Sequence, residues 1–190
     1  MKRIFLLASG SGSNAEAIVR HFSGSDRVEV AGIATNNPKA GVIERAARLG
    51  VPCQVFDRTY FRDPEGLLKL LQTSHTDLLV LAGFLWLVPE HIVHAFPGRI
   101  LNIHPALLPE FGGKGYYGQH VHEAVIAARK VMSGITIHQV NEQFDEGAIV
   151  FQAACHVAKE DSPQTLATKV HALEHKFYPV VIEKYLSLQK

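Results

Sequence analysis

The sequence predicts an α/β fold: a single-domain, Rossmann-like, mostly parallel twisted sheet with helices on both faces and an antiparallel C-terminal strand pair. Two observations support this prediction. Short continuous apolar runs alternate with segments of helical period, which is typical of strands covered by helices on both sides. The connection from Gln139 to Gly147 is too short to contain a crossover helix. The last two strands are therefore expected to pair antiparallel.

The individual elements follow in chain order. Strands are predicted near residues 3–8, 28–34, 52–56, 78–82, 100–102, 131–138 and 149–157. Helices are predicted near residues 14–22, 40–49, 64–73, 89–96, 118–129 and 163–188. Gly50 suits the end of the second helix, and Ser162-Pro163 supplies an N-cap and a preset first turn for the last one. The glycine-rich stretch 109–118 fits neither pattern and is expected to form a mobile flap.

Composition and charge exclude several classes of protein. The 190-residue chain is 47% hydrophobic and 19% charged with a net charge of +1, so no strong field favours nucleic acid or a membrane as a partner. Cys53 and Cys155 form no CxxC motif or Cys/His cluster, and we expect neither a disulfide framework nor a metal site. The N-terminal apolar run is shorter than that of a signal peptide. A cytoplasmic protein is therefore expected.

The most informative segment of the chain runs from residue 99 to residue 109. Asn102 and His104 stand two residues apart after a short apolar run, so on a strand their side chains point to the same face. Pro105 disfavours helix at His104 and stops the strand. An amide and an imidazole at a strand end occupy the place where α/β sheets carry their chemistry. The alternative is a polar strand end without a function, in which the imidazole of His104 has ordinary hydrogen-bond partners.

The turn after the first strand has the character of an anion site. Residues 9–14 read Ser-Gly-Ser-Gly-Ser-Asn, and glycines permit a sharp turn that leads into a helix N-terminus. The Gly-x-Gly-x-x-Ala spacing of residues 10–15 fits a dinucleotide fingerprint, but residues 34–37, after the second strand, contain no acid for a ribose hydroxyl. A single terminal phosphate suits the turn better. The alternative is a plain turn with Ser13 or Asn14 as the N-cap.

Asp145 precedes the last strand in the turn Phe144-Asp145-Glu146-Gly147. A carboxylate there is ordinarily a solvated turn former. If the loop folds beside His104, Asp145 is expected to raise the pKa of the imidazole by charge attraction, which would suit a general acid near neutral pH.

With these motifs in place, the sequence resembles the phosphoribosylglycinamide formyltransferases, folate-dependent enzymes of purine biosynthesis, over nearly its whole length. The resemblance is carried by Gly10–Asn14, Leu81–Phe84, Asn102–Pro105, Asp145 and Glu174-His175. It implies that residues 1–190 form one formyltransferase domain, with a phosphate-binding N-terminal half and a folate-binding, catalytic C-terminal half. It implies 10-formyltetrahydrofolate as the formyl donor and the amino group of glycinamide ribonucleotide as the acceptor.

The resemblance also implies a role for each matching residue. The residues implied in catalysis are Asn102, His104 and Asp145. Those implied in binding the ribonucleotide are Gly12, Ser13 and Asn14 at the phosphate and Glu174 at the ribose hydroxyls. Those implied at the folate are Leu85, Trp86, Leu87, Val88 and Asn102, with Arg58 or Arg62 meeting the folate tail. By its helical position alone, Glu174 is expected to be an exposed acid.

The residue types suit an acyl transfer. The Asn102 amide and a protonated His104 can both donate to the developing oxyanion, and Asp145 can move the proton between the two nitrogens. Three alternatives are a formyltetrahydrofolate hydrolase, a methionyl-tRNA formyltransferase and a nucleotide-binding module without catalysis. The first two carry additional domains, whereas this chain starts at strand one and stops after one long helix. A monomer and a homodimer are both compatible with the sequence.

Overall fold

The structure, a computed structural model, describes residues 1–189 and contains one seven-stranded sheet. The strands are β1 Lys2–Leu7, β2 Val28–Thr35, β3 Cys53–Val55, β4 Leu78–Leu81, β5 Ile100–His104, β6 Met132–Gln139 and β7 Ile149–His156. The helices are α1 Ser13–Phe22, α2 Val42–Leu49, α3 Arg58–Arg62, α4 Lys69–Thr73, α5 Glu90–Ala95, α6 Gln119–Ala127 and α7 Pro163–Leu188. A short kinked segment, Pro64–Leu68, precedes α4.

The sheet order is β3-β2-β1-β4-β5-β6-β7. The first five strands in this order pair parallel, and β6 pairs antiparallel with both β5 and β7. The predicted fold class is therefore confirmed. The strand order reverses between β1 and β4, and the carboxyl ends of strands diverge at such a switch point to open a crevice.

Alternate residues of β1 divide the apolar core into two layers. Ile4 and Leu6 pack in one layer with residues of α1 and α7, including Ile18 and Val170. Phe5 and Leu7 pack in the other, together with Leu71, Ile92 and other residues of α3 to α5. The period of two along a strand explains this division, because successive side chains point to opposite faces.

Two predicted termini are confirmed. Gly50 ends α2 in the left-handed conformation, with φ 70°. Ser162 caps α7, where its side chain accepts a hydrogen bond from the backbone N–H of Thr165 at 3.2 Å.

The segment from residue 57 to residue 73 differs from the prediction. One helix was expected over 64–73, but the chain forms the unpredicted α3 and then a kinked segment before α4. Gly66 has non-helical φ and ψ of −91° and −113°. A Cβ atom at Gly66 would lie 2.0 Å from the carbonyl oxygen of Tyr60, so this close approach of two backbones requires glycine. Between residues 1 and 189, no helix has the length and apolarity needed to cross a membrane.

Candidate active site

A cleft of about 490 Å³ lies at the carboxyl ends of β1, β4 and β5. Apart from the two arginines considered for the folate tail, every residue predicted to bind substrate or to act in catalysis lines it. These residues are Gly12, Ser13, Asn14, Leu85, Trp86, Leu87, Val88, Asn102, His104, Asp145 and Glu174. They come from distant parts of the chain: Asn14 and Glu174, for example, are 160 residues apart in sequence. The switch-point position explains the convergence, because parallel strands deliver their following loops to one edge of the sheet.

His104 is the last residue of β5 and is only 3% exposed. Its Nε2–H donates to the carbonyl oxygen of Phe111 at 2.7 Å, and its Nδ1 lies 3.4 Å from Asp145 Oδ2. The loop that carries Asp145 therefore folds beside His104, as the functional reading of the acid predicted. Nδ1 is the ring nitrogen left for proton exchange, since Nε2 is committed to the Phe111 carbonyl.

Asp145 acts to raise the pKa of His104, as expected, but burial outweighs this effect and the net pKa is lowered. Burial lowers the pKa of His104, since it disfavours the charged imidazolium. The charge of Asp145 and the Phe111 carbonyl act in the opposite, expected direction, and the neighbouring His138 adds to the lowering. The net result is a pKa below 6.5, so Asp145 limits the lowering instead of reversing it.

Asp145 is held in the left-handed region with φ 59°. Burial acts to raise the pKa of its carboxyl, but the neighbouring His138, the charge of His104 and the backbone N–H of Gly113 together bring the pKa below its usual value. The Gly113 N–H lies 3.0 Å from Asp145 Oδ2. Asp145 is therefore an ionised, partly buried carboxylate between two histidines and not a solvated turn former.

Asn102 lies beside His104 on the same face of β5, with both amide hydrogens directed at acceptors. Its Nδ2 is 3.0 Å from His138 Nε2 and 3.4 Å from Asp145 Oδ1. The second distance is long for a hydrogen bond, so the corresponding hydrogen is the one available to a substrate oxygen. His138 was not predicted, because a lone histidine on a strand carries no motif.

The glycine turn after β1 approaches α2 closely. Gly12 is left-handed with φ +78°, and a Cβ atom there would lie 2.5 Å from Val42 Cγ2. Gly12 occupies the N-cap position of α1 without any side-chain cap, so the alternative in which Ser13 or Asn14 caps the helix is wrong. The start of α1 thus presents backbone N–H groups to the cleft, the arrangement that favours an anion. Lys114 of the flap lines the same cleft.

Glu174 is buried and not exposed, which corrects the expectation from its helical position. It is 5% exposed, and its Oε2 accepts a hydrogen bond from Asn14 Nδ2 at 2.9 Å. Burial raises the pKa of Glu174, while Asn14 and His171 oppose the rise. The Oδ1 atom of Asn14 is buried and has no partner among residues 1–189. A carboxylate and an amide oxygen in one wall are acceptors suited to hydroxyl donors.

The segment 85–88 forms the opposite wall of the cleft. The Leu85 N–H donates to Ser9 Oγ at 3.0 Å, which fastens this wall to the loop after β1. Leu85 and Leu87 are 48% and 41% exposed, whereas Val88 is buried. Trp86 packs against Phe56, Phe61 and Phe84, and the guanidinium of Arg58 lies 4.7 Å from its ring centroid. Of the two arginines considered for the folate tail, Arg58 is thus the one in contact with this wall.

His122 is a second cleft residue that was not predicted. It is 2% exposed, lines the cleft from α6, and its Nδ1 has no hydrogen-bond partner within the described chain. Burial lowers the pKa of His122 to about 4, with smaller contributions in the same direction from the nearby His171 and His104. Because His122 belongs to no sequence motif, the sequence did not indicate that it lies in the cleft. Across residues 1–189 no group of three metal-binding side chains is found.

The Rossmann-like sheet brings an amide, an imidazole and a carboxylate together beside a helix start that favours negative charge. This arrangement is that of an α/β protein whose site suits acid–base chemistry. Residues 2–182 match the formyl transferase family. The chain belongs to this family, and the resemblance predicted from its motifs is confirmed.

Several of the similar proteins are named phosphoribosylglycinamide formyltransferase. The chain is 43% identical over 187 residues to the chloroplastic phosphoribosylglycinamide formyltransferase of Arabidopsis thaliana, a match that covers 95% of this chain and 64% of that protein. It is 35% identical to phosphoribosylglycinamide formyltransferase of Bacillus subtilis, with 99% and 96% covered. The crystal structure of phosphoribosylglycinamide formyltransferase from Bacillus halodurans superposes with a TM-score of 0.88 at 39% identity, with 100% and 97% covered.

Proposed function

We propose that this protein transfers the formyl group of 10-formyltetrahydrofolate to the amino group of glycinamide ribonucleotide, in purine biosynthesis. The observation that carries the proposal is the convergence of Asn102, His104 and Asp145 in one cleft between an apolar wall and an anion-binding turn. The family, and the name that the Arabidopsis thaliana and Bacillus subtilis relatives share, support the same reaction.

The three polar residues divide the chemistry between them. The substrate amine attacks the formyl carbon, and negative charge develops on the formyl oxygen. The Asn102 amide and a protonated His104 Nδ1 are the donors that stabilise this oxyanion. As the bond to the folate nitrogen breaks, that nitrogen gains a proton and the attacking nitrogen loses one. Asp145, 3.4 Å from His104, is the group that accepts and returns this proton, directly or through a water.

The two ends of the cleft select the two substrates. The phosphate of the ribonucleotide binds at the N–H groups of Gly12, Ser13 and Asn14, where the start of α1 favours negative charge. The ribose hydroxyls donate to Glu174, whose free lone pairs face the cleft beside Asn14. At the other end, segment 85–88 binds the pterin ring through its exposed backbone and the apolar side chains of Leu85 and Leu87.

The remaining assignments belong to the same proposal. Both partners are small molecules, neither nucleic acid nor a membrane is involved, and the protein works in the cytoplasm as a monomer or a homodimer. The N-terminal half carries the phosphate site and the folate-binding segment 85–88, and the C-terminal half carries the catalytic residues. Arg58, stacked on Trp86, meets the folate tail.

The proposal is tested by incubating the purified protein with synthetic glycinamide ribonucleotide and 10-formyltetrahydrofolate. We expect the N-formyl ribonucleotide and tetrahydrofolate in equal amounts. Release of formate without an amine acceptor would identify a hydrolase, and transfer only to methionyl-tRNA would identify a tRNA formyltransferase. Ligand binding without turnover would leave a nucleotide-binding module. Any of these three results contradicts the proposal.

A further inference from the structure

His138 touches two of the three proposed catalytic residues and has no part in the chemistry described above. We propose that His138 is a positioning residue: it orients the amide of Asn102 so that one of its N–H groups is aimed at the formyl oxygen. This inference rests on the proposed formyl transfer.

The sheet register brings His138 to this place. Asn102 on β5 pairs directly with His138 on β6, and residues opposite each other in an antiparallel pair project from the same face. His138 is 2% exposed, and the register of β6 against β7 shifts between Ile137 and His138. The unpaired residue of this bulge, Val150, lies on β7, so the unbroken register of β6 with β5 is what places His138 opposite Asn102.

The hydrogen bonds of His138 fix which ring nitrogen is the acceptor. Nδ1 lies 2.7 Å from the carbonyl oxygen of Gln139, to which it donates. Nε2 is then the unprotonated nitrogen of the neutral imidazole, and it accepts from Asn102 Nδ2 at 3.0 Å. A neutral His138 in this tautomer therefore holds one of the two hydrogens of the Asn102 amide.

The consequence for Asn102 follows from the planarity of an amide. Once one N–H is held by His138, the directions of the other N–H and of the carbonyl oxygen are fixed. The second N–H has only the long 3.4 Å contact with Asp145 Oδ1, which a substrate oxygen can replace. Without the acceptor on His138, the amide is free to rotate and to present its oxygen, which would repel the developing oxyanion.

His138 Nε2 also lies 3.5 Å from Asp145 Oδ1, so the same residue could instead act through the carboxylate. The two routes predict different coupling between substitutions. A residue that acts only through Asn102 loses its effect when Asn102 is removed, whereas one that acts through Asp145 keeps it.

Two matched variants separate the acceptor from the rest of the side chain. The amide of His138→Gln can place an oxygen where Nε2 stood, so the acceptor is retained. His138→Asn is shorter and can replace only the Nδ1 donor to Gln139. We expect His138→Asn to lower kcat about 10- to 100-fold with both KM values nearly unchanged, and His138→Gln to stay within about threefold of wild type.

The decisive readout is the double-mutant cycle. In the Asn102→Ala background, adding His138→Asn is expected to change kcat by less than about twofold. A full additional loss in that background would overturn the proposal, as would equal losses from the Gln and Asn variants. Thermal unfolding and folate binding by calorimetry show that each variant is folded.

The protonation of His138 Nε2 can also be tested on the wild-type protein alone. In ¹⁵N NMR at pH 7.5, His138 Nε2 is expected to have the shift of an unprotonated acceptor nitrogen. A protonated Nε2 overturns the proposal, since a donor there cannot accept from Asn102. Failure of this inference is distinguishable from failure of the proposed function, because in the second case the wild-type protein itself transfers no formyl group.

Discussion

Three buried histidines in or beside one cleft differ in the chemistry open to them, because the hydrogen-bond and charge partners of their ring nitrogens differ. His104 has a carboxylate at 3.4 Å, His138 a backbone carbonyl acceptor and an amide donor, and His122 an Nδ1 without a partner in the described chain. His138 Nε2 also lies 3.5 Å from Asp145, but it is the nitrogen that accepts from Asn102. His104 is therefore the histidine whose Nδ1 is left to exchange a proton beside the carboxylate. The role of each histidine therefore follows from the partners of its ring nitrogens and not from the residue type alone.

The pKa of His104 offers a test of the Asp145 contact. Asp145→Asn removes the negative charge that opposes the effect of burial, so the pKa of His104 is expected to fall further below its wild-type value. An NMR titration of the His104 ring measures it. Asp26→Asn removes the same charge from an exposed turn at the opposite edge of the sheet and serves as the control. An unchanged or higher pKa in Asp145→Asn would contradict the proposed contact.

Glu174 offers a second test at this scale. Hydrogen bonds to a charged group contribute about 1.5–3 kcal/mol each, so Glu174→Ala is expected to weaken ribonucleotide binding at least about tenfold. Folate affinity should hardly change, because the folate wall lies at the other end of the cleft. Calorimetry measures both affinities. Glu183→Ala, which removes an acid from the exposed side of the same helix, should leave both intact. Unchanged ribonucleotide affinity in Glu174→Ala would show that Glu174 packs in the helix without binding the ribonucleotide.

At the scale of elements, the glycine turn and α1 act as one unit. Gly12→Val places a side chain against Val42 and forces a β-branched residue toward φ +78°. We expect the KM for the ribonucleotide to rise far more than the KM for the folate, because the phosphate can no longer approach the N–H groups of α1.

The control for this prediction is Gly24→Val. Gly24 has nearly the same backbone conformation, with φ +76°, but a Cβ atom there meets nothing within 4 Å. It therefore reproduces the backbone strain without obstructing the cleft. Steady-state kinetics on both variants measures the two KM values. A larger rise for the folate, or equal rises in both variants, would contradict the phosphate assignment.

The elements that the sequence predicted are those whose cause is local. Buried strands appear as continuous apolar runs, and the short link from Gln139 to Gly147 dictates antiparallel pairing. The break at Gly66 was missed because its cause is contact with the Tyr60 backbone, which no periodicity encodes. His138 and His122 were missed for a similar reason: sheet register and helix packing place them, and neither residue belongs to a motif. Asn102, His104 and Asp145 were found because the resemblance supplied what spacing could not.

At the scale of the whole molecule, burial of the cleft histidines links stability to pH. The pKa of His122 is about 4 in the folded protein and about 6.5 when unfolded, so the folded state binds fewer protons between these values. The resulting stability is complete above pH 6.5 and is lost as the pH falls toward 4. At about 1.4 kcal/mol per pH unit, the contribution of His122 is on the order of 3 kcal/mol.

His122→Asn removes this titration. The free energy of unfolding, measured by urea denaturation between pH 6.5 and 4.5, is expected to decline less steeply in the variant than in wild type. His120→Asn is the control, since His120 lies two residues away on the same helix with its side chain 60% exposed. Parallel pH dependence in His122→Asn and wild type would show that His122 is not held neutral by the fold.

The central claim is that the cleft transfers a formyl group with His104 as the proton-bearing donor. The most direct test follows ¹³C-labelled formyl from 10-formyltetrahydrofolate to glycinamide ribonucleotide, under saturating substrates, in wild type and His104→Ala. The account predicts label in the N-formyl product for wild type and a kcat about 10²–10³ lower in a folded His104→Ala. Activity of His104→Ala within threefold of wild type, or no transfer of label by wild type, would contradict it.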